Sequence, residues 1–120
     1  MSVRAIRGAT TLQSDSIAEM NEAVCEMLSE IFASNEISHD DLISMIFTST
    51  PDLVSTFPAT AARTMGLSDI PLMCAVEIAV EGALARTVRV LVSVNSEKKL
   101  SEIKHVYLRE ASALRSDLTK

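Results

Sequence analysis

The sequence has few of the residues that metal, disulfide and thiol chemistry require. Its two cysteines, Cys25 and Cys74, cannot make a disulfide framework, which favours a reducing compartment. Cys74 lies in an apolar stretch, which is more typical of a buried structural thiol than of a nucleophile. His39 and His105 are far apart and have no carboxylates at the spacing of metal ligands, so we expect no metal centre. Glycine-rich phosphate loops, C-x-x-C pairs and G-x-S-x-G elbows are also missing.

Basic residues are scarce as well. The chain has 11 Lys and Arg against 16 Asp and Glu, whereas proteins that bind nucleic acid usually carry a basic face. Apolar runs of membrane-spanning length do not occur, and the N-terminal stretch lacks the apolar core of a signal peptide. We therefore predict a cytoplasmic protein that binds neither nucleic acid nor membrane.

The apolar content, 48% of 120 residues, is high for so short a chain. The length fits a single domain over residues 1–120, and domains of this size bury a modest fraction of their surface. We expect contacts between subunits to cover the surplus apolar surface.

Hydrophobic periodicity predicts the element order β-α-β-α-β-β-α-β. The predicted strands are 2–11, 42–50, 71–80, 87–95 and 105–108, and the predicted helices are 16–34, 58–65 and 96–104. A turn is expected at 110–115. The fold class is therefore α/β (α+β), with one mixed sheet, one major helix on one face, and an oligomeric partner on the other.

The major helix has the clearest signals. Ser16 and Glu19 form the S-x-x-E pattern of a capping box, and the apolar residues that follow keep helical spacing. Glu19, Glu22, Glu26 and Glu30 fall on the opposite face, which we interpret as solvated.

Arginine is the main chemical signal, with seven Arg against four Lys in an acidic chain. Arg89 interrupts a run of alternating valines, where a guanidinium needs an anionic partner or a wet cleft. Its planar fork can hold a carboxylate through two hydrogen bonds. Arg7 lies in another central segment, Arg63 on a short predicted helix and Arg115 after a turn, and each taken singly is more typical of a structural ion pair or a solvated residue. Glu77 is an internal partner for Arg89, and mutual neutralisation of this pair is the alternative interpretation.

Several short motifs follow one another along the chain. They are I-R-G-A-T-T at 6–11, T-P-D-L at 50–53, F-P-A-x-x-x-R at 57–63, the stretch 71–77, R-V at 89–90, H-V-Y-L at 105–108 and L-R-S-D-L at 114–118. In this combination and order they resemble the AroH-type monofunctional chorismate mutases over residues 3–118. The resemblance implies an isomerase of the shikimate pathway that converts chorismate to prephenate, the branch step toward phenylalanine and tyrosine, without a cofactor. It also implies a homotrimeric pseudo-α/β barrel whose active sites lie between neighbouring subunits.

The resemblance also implies roles for individual residues. Arg89 corresponds to the central catalytic cation at the ether oxygen and a carboxylate, Arg7 to a carboxylate-binding group, and Glu77 to a contact of the substrate hydroxyl. Eight further positions correspond to substrate contacts: Phe57, Ala59, Arg63, Met73, Cys74, Tyr107, Leu114 and Arg115. Tyr107 would bind a carboxylate, and the Cys74 region would share the hydroxyl contact. Phe57 and Leu114 would be apolar walls, and Arg63 and Arg115 charges at the mouth.

Some positions depart from the family pattern. Met73 stands where a small polar residue is frequent, Thr60 replaces a lysine, and Ser116 replaces a proline. Strict strand alternation places Cys74 and Glu77 on opposite faces, so both side chains could reach one ligand only across a β-bulge. Without a bulge, Cys74 would contribute its backbone.

The implied reaction fits the residues present. It is an intramolecular pericyclic step in which one C–O bond breaks as one C–C bond forms, so it needs neither a nucleophile nor a proton transfer. The protein has to hold a flexible dianion in its reactive shape and stabilise negative charge on the ether oxygen. Two other functions stay open at this point: a non-catalytic trimeric carboxylate-binding protein, and an enamine/imine deaminase of the Rid type.

Overall fold

Five strands form one mixed sheet in the order β3-β2-β4-β1-β5. The computed structural model describes residues 2–118, with side chains up to residue 114. The strands are β1 (Ser2–Thr11), β2 (Leu42–Ser49), β3 (Leu72–Val76), β4 (Thr87–Ser96) and β5 (Val106–Tyr107). β4 runs antiparallel to β1 and β2, while β5 is parallel to β1 and β3 is parallel to β2. The predicted mixed sheet is confirmed.

Two α-helices and three 3-10 helices complete the fold over residues 2–118. The helices are α1 (Ile17–Ser34) and α2 (Pro58–Thr64), and the 3-10 helices are His39–Asp41, Leu100–Glu102 and Arg109–Leu118. We call the last of these the C-terminal 3-10 helix. Pro58 opens α2, and Gly66 follows its end with a φ of 92°, a conformation that glycine adopts at little cost.

The helix α1 covers one face of the sheet. The alternating valines of β4 at 88, 90, 92 and 94 are buried on this face, together with Met27, Leu28 and Ile31 of α1. Burial of each such side chain is worth about 1.5–3 kcal/mol. Gly8 of β1 lets the helix come close, since a Cβ there would lie 2.6 Å from Ile31 Cδ1.

The N-terminus of α1 uses only half of the predicted capping box. Ser16 Oγ accepts a hydrogen bond from the Glu19 backbone N–H at 3.1 Å, as expected. The Glu19 carboxylate instead accepts from the backbone N–H groups of Gln13 and Ser14. It therefore anchors the loop between β1 and α1 rather than the cap residue itself.

Three predicted elements are much shorter than expected, and one of them is the strand predicted over 105–108, which is reduced to Val106–Tyr107. The strand predicted over 71–80 ends at Val76, because β2 ends at Ser49 and offers only the carbonyl of that residue to Glu77 N, at 2.9 Å. The helix predicted over 96–104 is reduced to the 3-10 turn Leu100–Glu102. The segment predicted as a turn at 110–115 lies inside the C-terminal 3-10 helix.

The glutamate face of α1 is not simply solvated, contrary to the sequence interpretation. Glu19, Glu22 and Glu26 all form ion pairs with Arg109, at N–O distances of 3.6, 3.2 and 3.3 Å. Glu30 instead accepts a hydrogen bond from Ser34 Oγ. The stripe therefore binds a distant part of the chain.

Among residues 2–118, no α-helix covers the second face of the sheet. Met73, Ile46 and Leu91 are aligned across β3, β2 and β4 on this open face, and all three are exposed. In the described part of the chain, no helix is long and apolar enough to cross a membrane.

Candidate active site

Strand register brings charged and polar residues together on the open face. Thr48 of β2 pairs with Arg89 of β4, and Ala9 of β1 pairs with both Arg89 and Tyr107 of β5. Paired residues point to the same face, so these side chains form one row across four strands. A second row, one pleat away, consists of Ile46, Leu91 and Arg7.

The two rows form the floor of a cleft of about 460 Å³. Glu77, just after β3, and Leu114, in the C-terminal 3-10 helix, line it as well. Among the described lining residues, two carry guanidinium groups and one carries a carboxylate. The cleft is therefore positive in a chain whose net charge is −5, which suits a small dianion.

Arg89 is held by Glu77 through one of its three nitrogens. Its Nε lies 2.7 Å from Glu77 Oε1, and the two side chains are 47% and 22% exposed. The internal pair that the sequence suggested is therefore formed. It leaves the two terminal nitrogens of Arg89 without a hydrogen-bond partner among residues 2–114. The pair thus orients the guanidinium without using up its donors.

Arg7 offers a second cation from the neighbouring strand. Its backbone N–H donates to His105 Nδ1 at 2.9 Å, while its exposed guanidinium forms no ion pair with any side chain up to residue 114. Burial, together with the positive charge of Arg7, lowers the pKa of His105. The imidazole is therefore neutral at pH 7 and accepts the backbone bond without adding a competing charge.

A second hollow, of about 440 Å³, lies beside the loop before α2. It is lined by Phe57, Pro58 and Cys74 among other residues. Cys74 pairs with Phe47, whose side chain is buried toward the helices, so Cys74 lies on the opposite face from the cleft. The pairing of β3 with β2 is regular, and no bulge brings Cys74 to the side of Glu77.

The loop that carries Phe57 is anchored by Asp15. The carboxylate of Asp15 accepts hydrogen bonds from the backbone N–H groups of Val54 and Ser55, each with an N–O distance of 3.1 Å. Hydrogen bonds from Ser55 and Val54 lower the pKa of Asp15. Phe57 itself is 68% exposed and presents its ring to solvent in a single chain.

The structure divides the sequence-predicted site residues into groups. Five line the cleft: Arg7, Glu77, Arg89, Tyr107 and Leu114. Phe57 and Cys74 line the second hollow instead. Arg63 and Met73 are exposed and line neither, and Ala59 is buried in the core. The side chain of Arg115 lies outside the described residues.

Among the cleft residues that sequence reasoning missed, three lie beside Arg89 on β2 and β4. Ile46, Thr48 and Leu91 belong to the two rows on the cleft floor. Thr48 Oγ1 is buried and has no hydrogen-bond partner among the described residues. Their positions follow from the pairing of β2 with β4, because the residues of β2 that pair with Arg89 and Leu91 lie on the same face of the sheet. That register cannot be read from either strand alone.

Metal ligation finds no support in the described residues. Among them, no group of three or more His, Cys, Asp or Glu side chains lies close enough to hold a metal ion. What the cleft offers is two guanidinium groups, one carboxylate, one phenol and apolar walls. Such a set can bind and orient a small polar anion.

Comparison with known proteins points to one family. A family model described as chorismate mutase type I matches residues 3–118. The chorismate mutase AroH of Thermus thermophilus is 44% identical over 117 residues, which cover 97% of this chain and 96% of that protein. The chorismate mutase AroH of Bacillus subtilis (strain 168) is 36% identical over 120 residues, which cover 99% and 94%.

A solved structure agrees with these matches. The chorismate mutase from Clostridium thermocellum is similar to this chain with a TM-score of 0.90 and 44% sequence identity. The similarity covers 92% of this chain and 98% of that one.

Proposed function

The chain belongs to the type I chorismate mutases, isomerases that convert chorismate to prephenate, and we propose that Arg7 and Arg89 in the open-face cleft carry this reaction. The family membership sets aside both the non-catalytic carboxylate binder and the Rid-type deaminase. The observation that carries the proposal is the pair of guanidinium groups, only one of which is neutralised within the described chain.

The two cations take different parts of the substrate dianion. Arg7 binds one carboxylate in a bidentate pair, with the Tyr107 phenol beside it. Arg89 directs its terminal nitrogens to the ether oxygen and to the second carboxylate. Negative charge develops on that oxygen as the C–O bond breaks, and a preorganised cation stabilises it more strongly in a water-poor cleft.

Glu77 has two functions in this mechanism. Its ion pair with Arg89 Nε fixes the plane of the guanidinium before the substrate arrives. Its carboxylate also accepts a hydrogen bond from the substrate hydroxyl. Ile46, Leu91 and Leu114 supply apolar surface that holds the substrate in its compact reactive shape, and well-oriented intramolecular reactions can gain about 7–11 kcal/mol in this way.

We also propose a homotrimer in which two subunits share each active site. The cleft and the second hollow lie apart within one chain, although residues of both correspond to substrate contacts in the family. Met73, Ile46 and Leu91 expose apolar surface beside the cleft. In the proposed assembly, Phe57 and Cys74 of the partner subunit close the cleft from above, and Arg63 of the partner subunit adds charge at the mouth.

A cytoplasmic location and a single catalytic domain complete the proposal. Both cysteines are free, which suits a reducing compartment. The family model matches residues 3–118, so almost the whole chain would act as one unit. Fractionation of cells that express the protein, with detection in the cytosolic fraction, tests the location.

The test of the cleft is chorismate turnover, followed as loss of chorismate absorbance and appearance of prephenate. Arg89→Ala should lower kcat by about 10²–10³-fold, because it removes a cation that acts on developing charge. Thermal unfolding should change little, since Arg89 is half exposed. Near-full activity of Arg89→Ala would contradict the proposal.

Two further variants show whether the loss of activity in Arg89→Ala comes from the lost charge, from the changed side-chain shape or from a general disturbance of the sheet. Citrulline at position 89, a neutral isostere of arginine, should fail as Arg89→Ala does if charge is the requirement. Arg4→Ala is the matched control, because Arg4 lies on β1 but its guanidinium donates to the carbonyls of Lys98 and Val3. It should retain the wild-type rate.

A further inference from the structure

Arg109 has an unusual position at the start of the C-terminal 3-10 helix. Its φ is 54°, a left-handed conformation that costs a residue with a Cβ about 1–2 kcal/mol. Its side chain is only 24% exposed although it carries a full charge. A residue held in this way needs compensating contacts.

Those contacts come from three turns of α1. Arg109 Nε lies 3.3 Å from Glu26 Oε1, Nη2 lies 3.2 Å from Glu22 Oε1, and Nη1 lies 3.6 Å from Glu19 Oε2. Nη1 also donates to the carbonyl of Thr11 at 3.4 Å. One guanidinium thus joins the end of β1 to one face of α1, with all three of its nitrogens engaged.

The residues after Arg109 continue from this attachment along the end of β1 to the cleft. Ala111 is fully buried, and the backbone N–H of Glu110 donates to Thr11 Oγ1 at 3.2 Å. Leu114 follows one turn later and lines the cleft. 3-10 helices longer than three or four residues are uncommon, so a ten-residue example requires tertiary support.

We infer that Arg109 is a positioning residue for catalysis, whose ion pairs with Glu19, Glu22 and Glu26 hold Leu114 against the bound substrate. This inference rests on the proposed function of the cleft. Loss of this clamp frees the C-terminal 3-10 helix and removes an apolar wall, while Arg7 and Arg89 stay on their strands. Substrate binding weakens more than the chemical step does.

The test is steady-state kinetics of Arg109→Met, which keeps the apolar stem and removes the charge. KM for chorismate should rise by about three- to tenfold while kcat stays within about twofold. A merely structural effect would lower the amount of folded enzyme, which reduces apparent kcat at constant KM. Unchanged KM, or a fall in kcat alone, would overturn the inference.

Matched variants on α1 complete the design. Glu30→Gln removes one carboxylate from the same helix, but Glu30 contacts Ser34 rather than Arg109, so KM should not change. The double variant Glu22→Gln with Glu26→Gln should raise KM and should add little in the Arg109→Met background. Additive effects would contradict a shared clamp.

The α1 variants keep the inference testable if Arg109→Met does not fold. The double glutamate variant then tests the clamp alone, and an unchanged KM would overturn it. A wild-type protein that fails to convert chorismate would refute the proposed function of the cleft. Normal wild-type turnover with unaltered KM in the clamp variants would refute only the positioning role.

Discussion

His105 stays neutral beside Arg7 because of burial and charge together. Both lower its pKa, and its Nδ1 is then free to accept the backbone N–H of Arg7. Protonation would remove that acceptor and place two cations side by side. The bond joins the segment before β5 to β1, so it also supports the position of Tyr107 in the cleft.

Stability should therefore depend on pH through His105. The pKa of His105 is lower in the folded chain than in the unfolded chain, where it is about 6.5. The folded protein therefore loses stability as the pH falls below the unfolded pKa and toward the folded pKa. Urea unfolding at pH 7.5 and 5.5 should show a lower free energy of unfolding at pH 5.5. His105→Asn, whose amide oxygen can accept the same bond without titrating, should reduce this loss.

The other histidine serves as the control. His39 lies on the surface and contacts Asp69, far from Arg7 in sequence. His39→Gln should keep the loss of stability between the two pH values. A loss that persists in His105→Asn and disappears in His39→Gln would contradict the role given to His105.

At the scale of elements, the close approach of α1 to β1 depends on Gly8. The residue is buried, and an added Cβ would meet Ile31 Cδ1 at 2.6 Å, Val90 Cγ1 at 3.1 Å and Met27 Cγ at 3.2 Å. The helix can therefore approach β1 this closely because Gly8 has no side chain. Arg7 and Ala9 on either side of Gly8 point into the cleft, so this packing also fixes the floor of the site.

Gly8→Ala should destabilise the fold by about 1–3 kcal/mol through overpacking. Chemical denaturation of the variant and the wild type measures the difference. Ile31→Val removes the methyl group that the new Cβ would meet first, so it should restore part of the stability of Gly8→Ala. Effects that simply add, with no recovery in the double variant, would show that Ile31 is not the limiting contact.

At the scale of the whole molecule, the open face supports the proposal that two subunits share each active site. The cleft has a charged floor, yet apolar Ile46, Leu91 and Met73 beside it are exposed. The hollow with Phe57 and Cys74 lies elsewhere on the same chain. A cyclic trimer would cover the apolar surface and join the two half-sites, since a head-to-tail interface brings different patches together.

Complementation between two inactive variants tests the shared site. Arg89→Ala removes the cleft cation, and Phe57→Asp places a carboxylate in the second hollow, where it would repel the dianion. Each variant alone should be nearly inactive. Co-expressed in equal amounts, they should recover about a quarter of wild-type activity, because about three in four random trimers are mixed and each of these has one intact site.

Sedimentation should at the same time give a mass about three times the 13.0 kDa of the chain. Recovery of no activity on co-expression would place each site within one subunit. A stable, active monomer would remove the case for shared sites altogether.

The sequence alone determined most of the elements and the family. Alternating valines in β4 and the helical spacing of α1 are local patterns, and local patterns depend only on neighbours in the chain. The ordered motifs identified the chorismate mutases, and with them the arginines that we propose as catalytic. Element ends were less certain, because the end of β3 depends on where its partner β2 stops.

Only the tertiary structure decided which residues meet. Strand register placed Ile46, Thr48 and Leu91 beside Arg89, and it separated Cys74 from Glu77. The glutamate stripe of α1 was visible in the sequence, but its partner Arg109 lies 83 residues beyond Glu26 along the chain. Contacts at such separations arise from the packing of whole elements, and no local pattern encodes them.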